Sequence, residues 1–214
     1  MGPVAAGDEG AAHPWVTAVG YRRFTSALRF EGDLDRELTA ETASTSLGRM
    51  LGDTWMLRAS IARVMAGHIR GAGKGTATIV QGWMFGASLS RRFTIDDLPN
   101  LYIGGSASFA MQFSRAGYGG TDGTSALTAA DLRLGATVGW MILERFVPYA
   151  TARVFGGPVF WRALADGGDL SGTDRYHFQV GGGLTAIIVS GLYITAEHVP
   201  LGEKSSSIEL GVRF

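Results

Sequence analysis

The sequence contains no cysteine, few prolines and no long apolar run, and each absence excludes a class of structure. Without cysteine the chain forms no disulfide and no thiolate metal site, which suits a protein exported through an oxidising compartment. Glycine or charge interrupts every apolar stretch well before the ~20 residues that a transmembrane helix requires. A helical membrane protein is therefore excluded.

An excess of charge is also missing, since 19 basic residues balance 19 acidic ones. Nucleic-acid-binding proteins usually carry a positive field, so this class loses its main support. The sequence also lacks the nucleophile elbow GxSxG, the zinc motif HExxH and a phosphate-binding loop. We therefore expect no nucleic-acid partner, no metal and no cofactor.

The chain is rich in glycine, with 32 among 214 residues, and aromatic residues recur along it. This composition favours short strands and tight turns over helices. Alternating side chains and breaks at Gly, Asp or Pro predict about ten strands. The predicted strands lie near residues 17–30, 37–50, 54–68, 76–92, 100–115, 127–143, 147–162, 175–189, 192–199 and 205–214.

The connections between these strands alternate between longer and shorter segments. The longer ones cover residues 31–36, 67–75, 115–126, 164–174 and 200–204, and the shorter ones cover 51–53, 94–100, 144–146 and 190–191. Alternate turns of an antiparallel meander lie at opposite ends of the sheet, so the longer loops are predicted at one end. Outer-membrane barrels have this plan.

Most predicted strands have one apolar face and one face of glycine, serine, threonine and a few charged residues. Phe109, Leu134, Val138 and Ile188 represent the apolar faces. A soluble barrel or sandwich, which is the alternative, would bury these side chains and carry Lys and Glu outside. Small polar residues suit a crowded lumen, so we expect the apolar faces to point outward to lipid, with aromatic residues near the strand ends at the headgroups.

The last ten residues, SSSIELGVRF, carry the most specific pattern. One face of this strand presents Ile208, Leu210, Val212 and Phe214. The pattern resembles the closing strand of bacterial outer-membrane β-barrels, which usually ends in Phe, although Gly211 stands nearer the end than the glycine of that family. The resemblance implies delivery to the periplasm and insertion by the outer-membrane assembly machinery, with these four residues as the assembly signal.

Charged residues on the polar faces are predicted to form a network in the lumen. Its members are Arg58, Asp131, Arg133, Arg153, Glu197, Glu209 and Arg213. Unpaired charges in a narrow lumen are costly, so we expect Asp131 or Arg133 to pair with Arg153 and Glu197. The network either stiffens the barrel or forms a constriction for ions or small solutes. About ten strands leave at most a thin aqueous path, which excludes a wide porin.

An enzyme is the alternative function. Asp174, Tyr176 and His177 begin one predicted strand, and Glu197 and His198 end the next, at the long-loop rim. A carboxylate beside a histidine could activate water. Neighbouring strand residues point to opposite faces, however, so Glu197 and His198 cannot share a site without a bulge. The glycines at 181–183 are interpreted as relief of crowding against a Trp or Arg rather than a phosphate site.

The sequence therefore predicts a disordered segment over residues 1–14, then a single domain over 15–214. This domain is an all-β, antiparallel, up-and-down transmembrane barrel of the Gram-negative outer membrane. Residues 1–15 lack the apolar core of a secretory signal, so a signal peptide is expected to be removed or missing.

The predicted function is non-enzymatic and either structural or porin-like with a narrow pore; the alternatives are a protease or lipid hydrolase at the rim, or adhesion by the loops. Expected partners are the lipid bilayer, the assembly machinery and, for a pore, small solutes. The sequence leaves the oligomeric state open.

Overall fold

The computed structural model describes residues 14–32, 34–71, 75–93, 95–118, 124–163 and 168–214, which form strands and turns. The predicted segment 1–14 lies outside these ranges apart from Pro14. The described part of the chain contains no helix long and apolar enough to cross a bilayer. The strands are β1 (Trp15–Phe30), β2 (Leu34–Leu51), β3 (Trp55–Gly71), β4 (Thr76–Phe93), β5 (Leu101–Tyr118), β6 (Thr124–Trp140), β7 (Phe146–Gly156), β8 (Pro158–Ala163), β9 (Gly168–Asp174), β10 (Phe178–Val189), β11 (Leu192–Gly202) and β12 (Lys204–Arg213).

A closed ring of ten antiparallel strands forms the part of the barrel that contains both chain ends of the domain. The ring runs through β1 to β7 and then β10, β11 and β12, and β12 pairs with β1 from Val16–Arg213 to Thr25–Lys204. Trp15 and Phe214 exchange backbone hydrogen bonds of 3.0 and 2.9 Å at the seam. The predicted barrel of about ten strands is confirmed. We call this region the ten-stranded part and its Trp15 end the base.

At the opposite end the barrel narrows to eight strands. The β8–β9 hairpin joins β6 to β1 there, through Leu127–Trp161 and Phe30–Gly172 among other pairs, above the ends of β7, β10, β11 and β12. The predicted strand 147–162 breaks at Gly157, where a Cβ would lie 1.9 Å from the Ala130 carbonyl oxygen. We call the ring of β1 to β6, β8 and β9 the eight-stranded part.

The outer surface of the ten-stranded part is apolar. Phe109, Leu134, Val138 and Ile188 are 47 to 52% exposed. These residues alternate with small or polar residues that face the lumen, so the expected outward orientation of the apolar side chains is confirmed. The alternative of a soluble barrel, with these side chains inside, is wrong for this part. Exposed Trp15, Trp55, Trp140 and Phe214 follow the base, as expected for aromatic residues at a membrane interface.

The eight-stranded part has the opposite polarity. Its interior is filled by a cluster that we call the apolar plug: Phe24, Leu28, Phe30, Leu38, Ala40, Val64, Ile69, Ala77, Ile79, Ala116, Leu127, Val159 and Trp161. Its outer face carries one exposed aromatic residue of β8, Phe160, but also many exposed charged residues: Arg29, Asp35, Glu37, Arg70, Arg115, Arg162 and Asp169. The expectation of outward apolar faces is therefore wrong here, because strands that extend beyond the bilayer have water outside and the hydrophobic effect turns apolar groups inward.

The expected alternation of long and short loops is also wrong. Strand β2 begins at Leu34, β3 continues to Gly71 and β5 continues to Tyr118, so most residues of the expected long loops are paired. Glu203 alone connects β11 to β12, whereas seven residues, 94–100, separate β4 from β5 at the base. Glycine, serine and aspartate resemble loop composition, but here they occupy strand positions outside the lipid.

Candidate functional site

Three clusters of arginine and acidic side chains, two of them with a tyrosine, cross the lumen of the ten-stranded part. The basal cluster joins Arg58 on β3 to Glu209 on β12 and Tyr193 on β11. The Arg58 Nη1 atom lies 3.0 Å from both carboxylate oxygens of Glu209, and its Nη2 atom donates to the Tyr193 hydroxyl at 3.3 Å. A Cβ on Gly211 would lie 2.2 Å from the Tyr193 ring, so glycine is required there.

The middle cluster joins Arg153 on β7 to Glu197 on β11. Their two nitrogen–oxygen distances are 2.8 and 2.7 Å, a bidentate pair, and Tyr149 donates to the same carboxylate at 3.1 Å. The Tyr149 hydroxyl lies 2.6 Å from the position that a Cβ on Gly183 would take. The glycines of 181–183 thus relieve crowding as expected, but not against Trp or Arg: Gly183 faces the Tyr149 side chain, and Gly181 and Gly182 face backbone carbonyl groups of His198 and Tyr149.

The upper cluster is centred on Glu203, in the β11–β12 turn. Arg133 on β6 donates to both oxygens of Glu203 at 2.8 and 3.0 Å, and Arg22 on β1 donates to one of them at 2.6 Å. Arg133 also donates to Asp131, two residues earlier on the same strand. The Glu203 side chain is only 4% exposed, so two arginines offset the cost of burying its charge.

The structure brings together most of the charged residues that the sequence assigned to the lumen, although one partner differs. Arg153 forms an ion pair with Glu197, and Arg58 forms one with Glu209. Arg133 was expected to pair with Arg153 and Glu197 but pairs with Glu203. Arg213 lies near the base, half-buried on the lumenal side of β12.

Sequence reasoning missed four members of the clusters: Arg22, Tyr149, Tyr193 and Glu203. Glu203 was assigned to a loop because it follows Pro and Gly. Tyr149 shares the lumenal side of β7 with Arg153, and Tyr193 shares that of β11 with Glu197, a signal that could have identified both tyrosines.

A cavity of about 230 Å³ lies between the upper cluster and the apolar plug. Its floor is formed by Arg22, Asp131, Arg133 and Glu203, its ceiling includes Phe24, Leu28, Leu38 and Val159, and its walls include Ser26, Ser60, Ser88, Ser108, Gln112 and Asp174. Asp174 is 9% exposed and accepts a hydrogen bond of 2.8 Å from Ser26. One Asp131 oxygen, Oδ1, is buried without a hydrogen-bond partner.

Asp174 pairs with Leu28 on β1, and the exposed charged residues Arg29 and Arg175 follow these two residues in the sequence. Burial raises the pKa of this carboxyl to about 6, and the negative charges of Glu203 and Asp131 act in the same direction. The Ser26 hydrogen bond and the Arg133 charge oppose the rise. The cavity therefore contains a carboxyl that titrates near neutrality.

The residues named for the enzyme alternative do not form one site. Glu197 points into the lumen and pairs with Arg153, whereas His198 is exposed and lies 2.9 Å from Ser206 through its Nδ1 atom. Asp174 is buried, whereas Tyr176 and His177 are exposed. Among the described residues no group of three or more His, Cys, Asp or Glu side chains is placed to hold a metal ion.

A closed antiparallel barrel with an apolar outer surface and a polar lumen defines the class of outer-membrane β-barrel proteins. No family model matches the sequence, and neither does any curated protein. The fold is similar to the translocator domain of autotransporter NalP from Neisseria meningitidis, with 13% identity, a TM-score of 0.52 and coverage of 94% of this chain and 88% of that one.

It is also similar to the outer membrane protein OprG from Pseudomonas aeruginosa, with 10% identity, a TM-score of 0.51 and coverage of 94% and 96%. At this level of identity the likeness concerns the fold. The barrel class predicted from the sequence is confirmed, and the predicted outer-membrane location agrees with both neighbours.

Proposed function

We propose that this chain is a non-enzymatic, structural barrel of the bacterial outer membrane whose lumen is closed. The apolar plug is the observation that supports this function best. Trp161 is 1% exposed, Phe30, Leu28 and Ile69 are each 2% exposed, and the Phe30 and Trp161 rings lie 6.1 Å apart. A ring of eight strands is filled by its own side chains, and an apolar constriction excludes water and ions.

The three polar clusters support a structural role rather than conduction. Each cluster joins strands that are not neighbours: Arg58 on β3 reaches Glu209 on β12, and Arg133 on β6 reaches the β11–β12 turn. Charge-assisted hydrogen bonds between strands that do not pair with each other brace the barrel from within. They also occupy the space that a permeating solute would need.

Conductance in planar bilayers tests the closed lumen. We expect no stable single-channel steps from the wild-type barrel. The double variant Trp161→Ala/Phe30→Ala removes the two largest side chains of the plug and should raise the leak, whereas Phe160→Ala, at the neighbouring outward position, should stay silent. Stable steps from the wild-type barrel would instead favour a narrow pore for ions or small solutes.

We also propose that Ile208, Leu210, Val212 and Phe214 act as the signal for the assembly machinery. All four are 40 to 53% exposed on the outer face of β12, the strand that closes the ring against β1. Deleting Phe214 should lower the heat-modifiable, folded fraction in membranes, measured by gel mobility with and without boiling. Removal of the exposed Lys204 side chain by Lys204→Ala is the control, and equal assembly of all three proteins would contradict the proposed signal.

A further inference from the structure

The cavity between the upper cluster and the apolar plug has two chemically different ends. Leu28, Leu38 and Val159 present hydrocarbon from above, while charged groups of the upper cluster lie below. Its volume of about 230 Å³ corresponds to roughly eight water-sized groups. A compact molecule with an apolar body and one polar group matches this space in both size and polarity.

The charges around the cavity select the sign of that polar group. Three carboxylates, Asp131, Asp174 and Glu203, line it together with two arginines, Arg22 and Arg133. Both arginines donate to Glu203, and Arg133 also donates to Asp131. Among the described residues no ion pair involves Asp174, and two arginines face three carboxylates, so the cavity has one negative charge more than its arginines balance.

The hydrogen-bonding groups favour the same kind of ligand. Asp174 accepts one hydrogen bond, from Ser26, and Asp131 keeps a buried oxygen without a donor. A buried acceptor without a donor is costly, and an added N–H donor would remove this cost. An ammonium group supplies three such donors and a compensating positive charge.

We propose that this cavity is a binding site for a small primary amine with a compact apolar body, whose ammonium group is held by Asp174 and Asp131 while its apolar part contacts the plug. This site goes beyond the structural function, because a closed barrel needs no ligand. Arg22 and Arg133 repel any cation placed next to them, so the ammonium group lies on the Asp174 side of the floor.

The experiment compares three aromatic probes of the same shape and different charge: benzylamine, benzyl alcohol and benzoate. Binding to the folded barrel in detergent is measured by calorimetry at pH 8 after long equilibration, so that slow entry past the clusters is not mistaken for absence of binding. We expect saturable binding in the order benzylamine, benzyl alcohol, benzoate. Equal or tighter binding of benzoate would overturn the proposal.

Two variants on the same strand locate the charge that selects the amine. Asp174→Asn keeps the size of the side chain and should weaken benzylamine binding at least about tenfold, because a charge-assisted hydrogen bond is lost. Its affinity for benzyl alcohol should not change. Asp169→Asn alters a 74% exposed side chain of β9 and should bind all three probes as the wild type does.

A filling variant keeps the test decisive if Asp174→Asn fails to fold. Ala129 lies at the cavity wall beside the plug. The variant Ala129→Leu fills the cavity with a larger side chain and should abolish binding of both benzylamine and benzyl alcohol. Heat-modifiable gel mobility confirms that each variant is folded. Wild-type affinity for benzylamine in a folded Asp174→Asn or Ala129→Leu barrel, or no saturable binding to the wild type, would overturn the proposed site.

Discussion

The interior of the ten-stranded part is polar, whereas the interior of the eight-stranded part is apolar. In the ten-stranded part, Leu134 points outward and Arg133 points into the lumen; seven residues earlier on the same strand, in the eight-stranded part, Leu127 is buried inside. The strand keeps its twofold alternation throughout, and only the medium outside it changes from lipid to water. The polarity of the outward residues therefore shows whether that segment of a strand faces lipid or water. It does not describe the whole barrel.

The number of strands changes together with the polarity. Ten strands enclose a wider space that long polar side chains cross, whereas eight strands enclose a space that leucine, phenylalanine and tryptophan fill. The β8–β9 hairpin produces this change, because it replaces four strands by two beyond the end of the β11–β12 turn. The cavity lies where the two arrangements meet.

Buried and exposed ion pairs should respond most differently to mutation. Arg153→Met leaves Glu197 buried without its bidentate partner and should cost about 3 kcal/mol of unfolding free energy, measured by urea titration in detergent. The double variant Arg153→Met/Glu197→Met should recover most of this loss. In the eight-stranded part, breaking the exposed Arg162–Asp169 pair with Arg162→Met should cost less than about 1 kcal/mol.

Equal losses of unfolding free energy in Arg153→Met and Arg162→Met would contradict the expected difference between the buried and the exposed ion pair.

The same leucine substitution on β6 should separate interior packing from lipid contact. Leu127→Ala leaves a hole in the apolar plug and should lower the unfolding free energy by about 3 kcal/mol. Leu134→Ala should cost only about 1 kcal/mol, since lipid or detergent fills the space and only the transfer of the lost methyl groups remains. Urea unfolding of both variants measures the difference, and a larger loss for Leu134→Ala would contradict the proposed environments.

The smallest effect concerns the pH dependence of Asp174. Its pKa is raised to about 6 in the folded protein, so the folded state binds a proton more tightly than the unfolded state and its stability falls as pH rises from about 4 to 6. Asp174→Asn removes this loss and should raise stability at pH 8 by less than about 3 kcal/mol, with little change at pH 4.

Thermal unfolding at both pH values checks this prediction, with Asp169→Asn as the control. A stabilisation at pH 4 that equals the one at pH 8 would show that the Asp174 charge is not responsible.

Sequence patterns predicted the ten-stranded part well because lipid imposes a strict alternation there. From Leu132 to Trp140 every second residue is apolar, and the strand pairs through this region without a register shift. The closing strand was identified for the same reason. The bridges Arg58–Glu209 and Arg153–Glu197 use residues on the opposite face, so alternation placed them in the lumen as well.

The eight-stranded part could not be predicted in this way, because alternation does not state which face meets water. In β4, a register shift between Ile79 and Gln81 moves Ile79 inside although it shares odd numbering with the exposed Phe85. Aromatic residues near strand ends were expected at the headgroups, but Trp161, near the end of the predicted strand 147–162, lies inside the plug. The β9 strand consists of Gly, Asp, Leu, Ser and Thr, a composition typical of loops, and only its pairing with β1 and β8 reveals it.

The reversal of polarity is tested most directly by the accessibility of single spin labels on β6. The natural chain contains no cysteine, so Ala126→Cys, Leu127→Cys and Leu134→Cys each give one labelled site. In lipid vesicles, the label at 134 should be accessible to oxygen and shielded from a water-soluble nickel complex, the label at 126 should be accessible to nickel, and the label at 127 should be shielded from both. A label at 127 that contacts lipid, or one at 134 that contacts the nickel complex freely, would contradict the account.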